Sequence, residues 1–198
     1  MTPEEVGARL AERLGAAGLP AEEVATSVSG GDGHARATVD VPAASWRTAA
    51  RTARDDLGLD FFDWLSAVDE LDEGFAIVAH LWSTRERFGV LLRTRVPRDA
   101  ATLESLVEIY PGASWHERET CEMFGVGFPG ELAHLLLAPE FEGHPLRKDF
   151  VLASRVAKPW PGAKEPGEGH GDAPKRQAIR PPGVPAPGEW GPAAGGEG

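Results

Sequence analysis

The chain has 198 residues, with 20 Lys and Arg against 31 Asp and Glu, a formal net charge of −11. That length suits one domain, or one domain with an appendage. The acidity argues against nucleic-acid binding, which needs Lys and Arg to neutralise phosphates. No apolar stretch reaches the roughly 18–20 residues of a membrane span. The stretch from Met1 to Glu12 is acidic and amphipathic, which is not the pattern of a secretory signal. One cysteine, Cys121, can form neither an internal disulfide nor a four-cysteine cluster site. A reducing compartment is the simplest reading.

In chain order, Thr2-Pro3-Glu4-Glu5 predicts a helix start, with Thr2 as N-cap and Glu5 three residues later. Val6, Leu10 and Leu14 follow at steps of four, and Gly15 and Gly18 end the helix. Val24–Ser29 and His34–Val41 predict a hairpin around Gly30-Gly31-Asp32-Gly33. Ala43–Leu57 predicts a second helix, with Trp46, Ala49, Ala50, Ala53 and Leu57 inward, and Leu59–Val68 contains a strand. Phe75–Trp82 and Phe88–Val96 predict two strands, apolar enough on both faces to be buried on each side. Asp99 is placed to cap a helix running to about Tyr110, with Leu103, Leu106 and Val107 inward. Pro111-Gly112 breaks the chain, and Ser114 is placed to cap another helix to Phe124. The class this predicts is α+β: a mostly antiparallel sheet with helices packed on one face.

Composition changes near Leu152. Residues 153–198 include 9 Pro and 10 Gly and show no apolar periodicity. Such a segment cannot bury enough surface to offset its ordering entropy. The predicted organisation is a domain over 1–152 and an extended Pro/Gly-rich arm over 153–198. Trp160 and Trp190 leave two readings of the arm: a loose tail, or a strap anchored on a partner by its tryptophans.

Two stretches are dense in charge. His116-Glu117-Arg118-Glu119-Thr120 begins like a zinc-protease helix, but Thr120 stands where the second histidine belongs. Cys121 has no base beside it in the sequence to support nucleophilic catalysis. Arg118 and Glu122 are one helical turn apart and can pair. Glu142-Gly143-His144-Pro145-Leu146-Arg147-Lys148-Asp149-Phe150 is a constrained turn, with Arg147 suited to a carboxylate. Neither a P-loop nor a dinucleotide-binding glycine pattern is present. The residues thus point to an interaction protein without a self-contained catalytic site.

These two stretches resemble the motifs of the C subunit family of NADH-quinone oxidoreductase, the bacterial counterpart of the thirty-kilodalton subunit of mitochondrial complex I. The match runs through Glu117, Arg118, Glu119, Glu122, Phe124 and Gly125, then Gly143, His144, Pro145, Arg147, Lys148 and Asp149. Tyr110–Trp115, Phe62–Ser66 and Ala67-Val68-Asp69 are similar to further segments of the family. Cys121 replaces an aromatic, Glu122 replaces Asp, and Ala133-His134 occupy a double-arginine position in a shortened stretch after Phe128. The resemblance implies a scaffold subunit without catalytic, cofactor or metal residues of its own. It implies the peripheral arm of a proton-translocating complex that uses NADH, FMN, iron–sulfur clusters and quinone. The implied partners are the D subunit, which holds the quinone site, and the B subunit, which holds the terminal iron–sulfur cluster. The implied location is peripheral, on the cytoplasmic side of the cell membrane, with no nucleic acid and membrane contact only through the complex. The equivalent subunit of a membrane-bound hydrogenase-type complex is the alternative. The charged residues of the two motifs are expected either to pair across an interface or to lock the motifs together.

Overall fold

A computed structural model describes residues 1–31, 33–130 and 132–151. The arm predicted over 153–198, with Trp160 and Trp190, lies outside the described residues.

Helix α1 (Pro3–Ala16) starts on a full capping box: the Thr2 side chain accepts from the Glu5 amide, and the Glu5 side chain accepts from the Thr2 amide. Its Val6, Leu10 and Leu14 are buried. Strands β1 (Ala25–Ser29) and β2 (Arg36–Asp40) form the hairpin. Helix α2 (Trp46–Leu57) ends on Gly58 in the left-handed conformation, φ 68°. Strands β3 (Phe61–Asp69), β4 (Phe75–Trp82) and β5 (Gly89–Val96) follow, and helix α3 (Ala113–Phe124) comes last among the described elements.

The five strands form one sheet in the order β1-β2-β5-β4-β3. Only β2 and β5 pair in parallel; the other pairs are antiparallel. The register puts Ala37, Val39, Val90, Leu92, Ile77, Ala79, Leu81, Leu65 and Ala67 on one face, and these are buried with the inward faces of α1 and α2 in a single core. Helix α3 packs over β3 from that same side, with Phe124 edge-on to the buried Phe75.

Two expectations fail and a third is met only in part. Residues 99–110 are not a helix. One 3-10 turn (Arg98–Ala100) leads into a short parallel bridge between Thr102 and Gly127, with the Leu103 amide donating to the Gly127 carbonyl. The Leu106 amide is taken by a side chain, that of Glu117. Leu103 and Leu106 are buried as expected and Val107 is half-buried, so an irregular loop satisfies much of the spacing that suggested a helix. Ser114 is not a cap: Gly112 holds the N-cap position of α3, and no side chain caps it. Burial of β4 and β5 on each side is met in part: on the face away from the helices Val78, His80, Trp82 and Leu91 are half-buried and Arg95 is exposed. Beside them in β3, Trp64 and Val68 are 36% and 52% exposed, and among the described residues no helix covers this face.

Candidate functional site

Helix α3 ends at Gly125, φ 74°, leaving the carbonyls of its last turn without helical partners. The second charged motif supplies those partners. His144 Nδ1 lies 2.8 Å from the Glu122 carbonyl oxygen, the Leu146 amide donates to the Met123 carbonyl at 3.1 Å, and Arg147 Nε donates to that of Phe124 at 2.6 Å. The Arg147 guanidinium at the helix C-terminus also meets its partial negative charge favourably. Gly125 is required twice over. It takes a backbone conformation that other residues adopt at a cost, and a Cβ there would run into Arg147 and His144.

The acids of α3 bind backbone rather than arginine. Glu117 is 1% exposed; it accepts from the Ser105 hydroxyl at 2.7 Å and the Leu106 amide at 2.6 Å. Burial pushes its carboxyl above the ordinary range, against the pull of those two bonds. Glu122 accepts from the amides of Leu135, Leu136 and Leu137 at 2.6, 2.9 and 3.4 Å, and His134 Nδ1 lies 3.1 Å away. Burial alone would raise this carboxyl, but the three amides and His134 outweigh it and hold it below its ordinary value. Arg118 donates to the carbonyls of Ala133 and His134 at 2.8 and 2.6 Å. The expected Arg118–Glu122 pair is therefore replaced by two grips on the loop 133–137. Glu119 is exposed.

A third carboxylate completes the arrangement. Asp69 sits at the end of β3 with a side chain 1% exposed. It accepts from the Lys148 amide at 2.8 Å, from the Leu71 amide at 2.9 Å and from Arg98. Burial would raise its carboxyl, but the Lys148 amide, Arg98 and the Leu71 amide hold it below the ordinary range. Arg98 also reaches Asp149 at 3.3 Å. The guanidiniums of Arg98 and Arg147 lie 4.9 and 5.3 Å from the ring centre of Phe75. Gly143, φ 92°, turns the chain so that Phe150 packs within 3.0 Å of its missing Cβ, and Pro145 is half-buried beside His144.

The structure thus brings Glu117, Arg118, Glu122, Phe124, Gly125, Gly143, His144, Pro145, Arg147, Lys148 and Asp149 into one clasp and leaves Glu119 outside it. Lys148 enters through its amide, not its ammonium. Sequence reasoning gave no role to Asp69, Arg98 or Ser105. Asp69 carried a readable signal: it is in phase with the inward-facing Leu65 and Ala67, where an unpaired carboxylate would be costly. Cys121 is half-buried, and burial and Glu122 push its thiol up, away from the thiolate a nucleophile needs. Among the described residues no group of three or more His, Cys, Asp or Glu is arranged to hold a metal ion. No described helix is long and apolar enough to cross a membrane.

Residues 39–156 match the family model of the respiratory-chain NADH dehydrogenase 30 kDa subunit. The C subunit of the NADH-quinone oxidoreductase of Roseiflexus castenholzii is 41% identical over 111 residues, 53% of this chain and 64% of that protein. The chain thus spans 64% of the length of that relative. The fused C/D subunit of the NADH-quinone oxidoreductase of Pseudomonas fluorescens is 38% identical over 88 residues, 43% of this chain and 15% of that protein. Among solved structures, a chain of the membrane-bound sulfane sulfur reductase, an archaeal respiratory membrane complex, superposes with a TM-score of 0.60 at 28% identity, covering 75% of this chain and 85% of that one. Match, motifs and fold agree: the chain belongs to the family of the respiratory-chain NADH dehydrogenase 30 kDa subunit.

Proposed function

We propose that this chain is a non-catalytic scaffold subunit of the peripheral arm of a proton-translocating NADH-quinone oxidoreductase. It packs beside the quinone-site subunit and the terminal iron–sulfur subunit, on the cytoplasmic side of the cell membrane. NADH, FMN, the clusters and quinone are held by neighbours, and this chain supports electron transfer by holding them in place. The observation that carries this reading is the family match over 39–156, which takes in both halves of the clasp. The Pseudomonas fluorescens relative, whose name joins C and D in one protein, supports the quinone-site subunit as a neighbour. The clasp fits a scaffold: its charges are spent on backbone groups of the same chain, which fixes the shape of the surface around them. Exposed Trp115 and Leu136, on α3 and on the loop that Glu122 grips, are surface that a partner can cover.

A tagged pull-down from membranes in mild detergent tests this. Expected are co-eluting iron–sulfur and quinone-site subunits, a cluster absorption spectrum and NADH oxidation. A colourless chain eluting alone would reject the reading. The likeness to the sulfane sulfur reductase chain supports a second reading, the equivalent subunit of a related membrane-bound complex such as a hydrogenase. An assembled complex that carries clusters but does not oxidise NADH would favour it.

A further inference from the structure

The sheet face opposite the helices has two unlike ends. At one end Arg93 grips Asp40 at 2.6 and 2.9 Å, and Arg95 binds Glu70 at 2.7 Å. Each of these cations has an acid. At the other end, Arg36, Gly89 and Trp82 lie side by side across β2, β5 and β4. Gly89 carries no Cβ, and the space is filled by the rings of Trp82 and His80 folding over it. The Arg36 guanidinium then rests 5.5 Å from the centre of the Trp82 ring. Arg36 and Arg87 both line a cleft of about 140 Å³ beside that ring, at the end of the sheet where Met1, Pro3 and Val6 at the start of α1 also line it. Among the described residues no carboxylate pairs with either; Glu86, next to Arg87, turns to Arg85 at 3.6 Å. A bulge in β3 at Phe62/Trp64 lets Asp63 reach His80 Nδ1 at 2.8 Å, which holds the imidazole between Trp64 and Trp82. Exposed Trp64 and Val68 extend the apolar floor along the β3 edge.

We propose that this face seats a segment of a neighbouring protein of the assembly that carries apolar side chains and a carboxylate. The apolar side chains cover Trp64, Trp82 and Val68, and the carboxylate enters the cleft between Arg36 and Arg87. This rests on the reading of the chain as one component of such an assembly. The choice of occupant follows from charge. In a chain of net charge −11, two arginines line one cleft beside an aromatic floor, and among the described residues no acid pairs with them. Arginine and tryptophan together are the usual composition of an interface centre. The stacking on Trp82 and the bond from Arg36 Nη1 to the Ala35 carbonyl at 3.0 Å fix the guanidinium in place, and its other N–H groups are left for a carboxylate.

The test uses the full chain in its assembly. A photo-crosslinking benzoylphenylalanine replaces Trp64 in one strain, Val68 in a second and Glu12, on the outer side of α1, in a third. The tagged complex is purified after irradiation. Expected at positions 64 and 68 are adducts to one identified neighbouring protein, on a peptide containing Asp or Glu, and none to that neighbour at position 12. Arg36→Glu with Arg87→Glu should cut the adduct at Val68 by about tenfold or more through like-charge repulsion. Arg36→Lys, which keeps the charge but not the planar fork, should retain more of it than the charge reversal does. Adducts to a second copy of this chain, or to nucleic acid, would overturn the proposal. So would an undiminished yield in the double charge reversal. An unmodified chain that co-purifies with the complex while positions 64 and 68 label nothing overturns the seat alone. An unmodified chain that co-purifies with no other protein overturns the functional reading as well.

Discussion

The clasp and the open face lie on opposite sides of one sheet, and they treat charge in opposite ways. In the clasp, Glu117, Glu122 and Asp69 are buried and each is saturated by amides, hydroxyls or a guanidinium of the same chain. On the open face the ion pairs are half in water, and among the described residues Arg36 meets an aromatic ring and no acid. The difference separates two uses of charge. Buried carboxylates fix three distant stretches of chain, because a stranded amide is expensive. Exposed arginines add little to the fold and are free to meet another protein.

The largest test of that contrast is Asp69→Ala. It strands the Lys148 and Leu71 amides and leaves Arg98 without its buried acid, so we expect a loss of about 3 kcal/mol in urea denaturation. Arg95→Ala on the open face should cost under about 1 kcal/mol. Equal losses at the two sites would erase the distinction. Next is Gly125→Ala, expected to cost about 2 kcal/mol, because it strains the backbone and pushes Arg147 and His144 off the helix end; retained stability would mean the second motif does not seat there.

The pH dependence is subtler. Asp69 and Glu122 have lowered carboxyl pKa values, so their stabilisation is complete above the ordinary carboxylate range and is lost as pH falls through their folded values. Glu117 is raised, so its contribution has the opposite sign: present below the ordinary range and lost as pH rises through its folded value. Glu117→Gln removes that opposing contribution, so stability should fall more steeply on acidification than in the unmodified chain. Denaturation curves at several pH values between neutral and acid read this directly; parallel slopes would contradict the burial of an ionisable Glu117. The smallest effect belongs to Glu119→Gln, outside the clasp, which should change stability by no more than about 0.5 kcal/mol.

Much of the fold could be read from local pattern. The capping box at Thr2, the alternation of Phe75–Trp82 and the glycine-rich hairpin each depend on neighbours in sequence, and each formed as expected. Residues 99–110 misled because Leu103, Leu106 and Val107 keep helical spacing while Glu117, eleven residues past Leu106, takes the backbone that a helix would use. The two motifs contain most of the residues that meet in the clasp, with Glu119 left outside it, but they do not name the partners. Those partners are mostly backbone groups far along the chain, as Asp69 and the Lys148 amide are, and a backbone amide has no letter in a sequence. Both faces of β4 and β5 read as apolar because Val78, Trp82 and Leu91 stand on the open side, and these are half-buried among the described residues. Pattern reports what a face is made of, not how far it is covered.

If this chain supports an enzyme by shape and takes no part in its chemistry, damage to the clasp must act on assembly alone. Membranes carrying the Asp69→Ala chain decide this through two quantities: the amount of assembled complex, and NADH-to-quinone turnover per assembled complex. Assembly is expected to fall sharply while turnover per assembled complex is unchanged. Normal assembly with a lowered turnover would contradict a scaffold role and would place the clasp in the reaction itself.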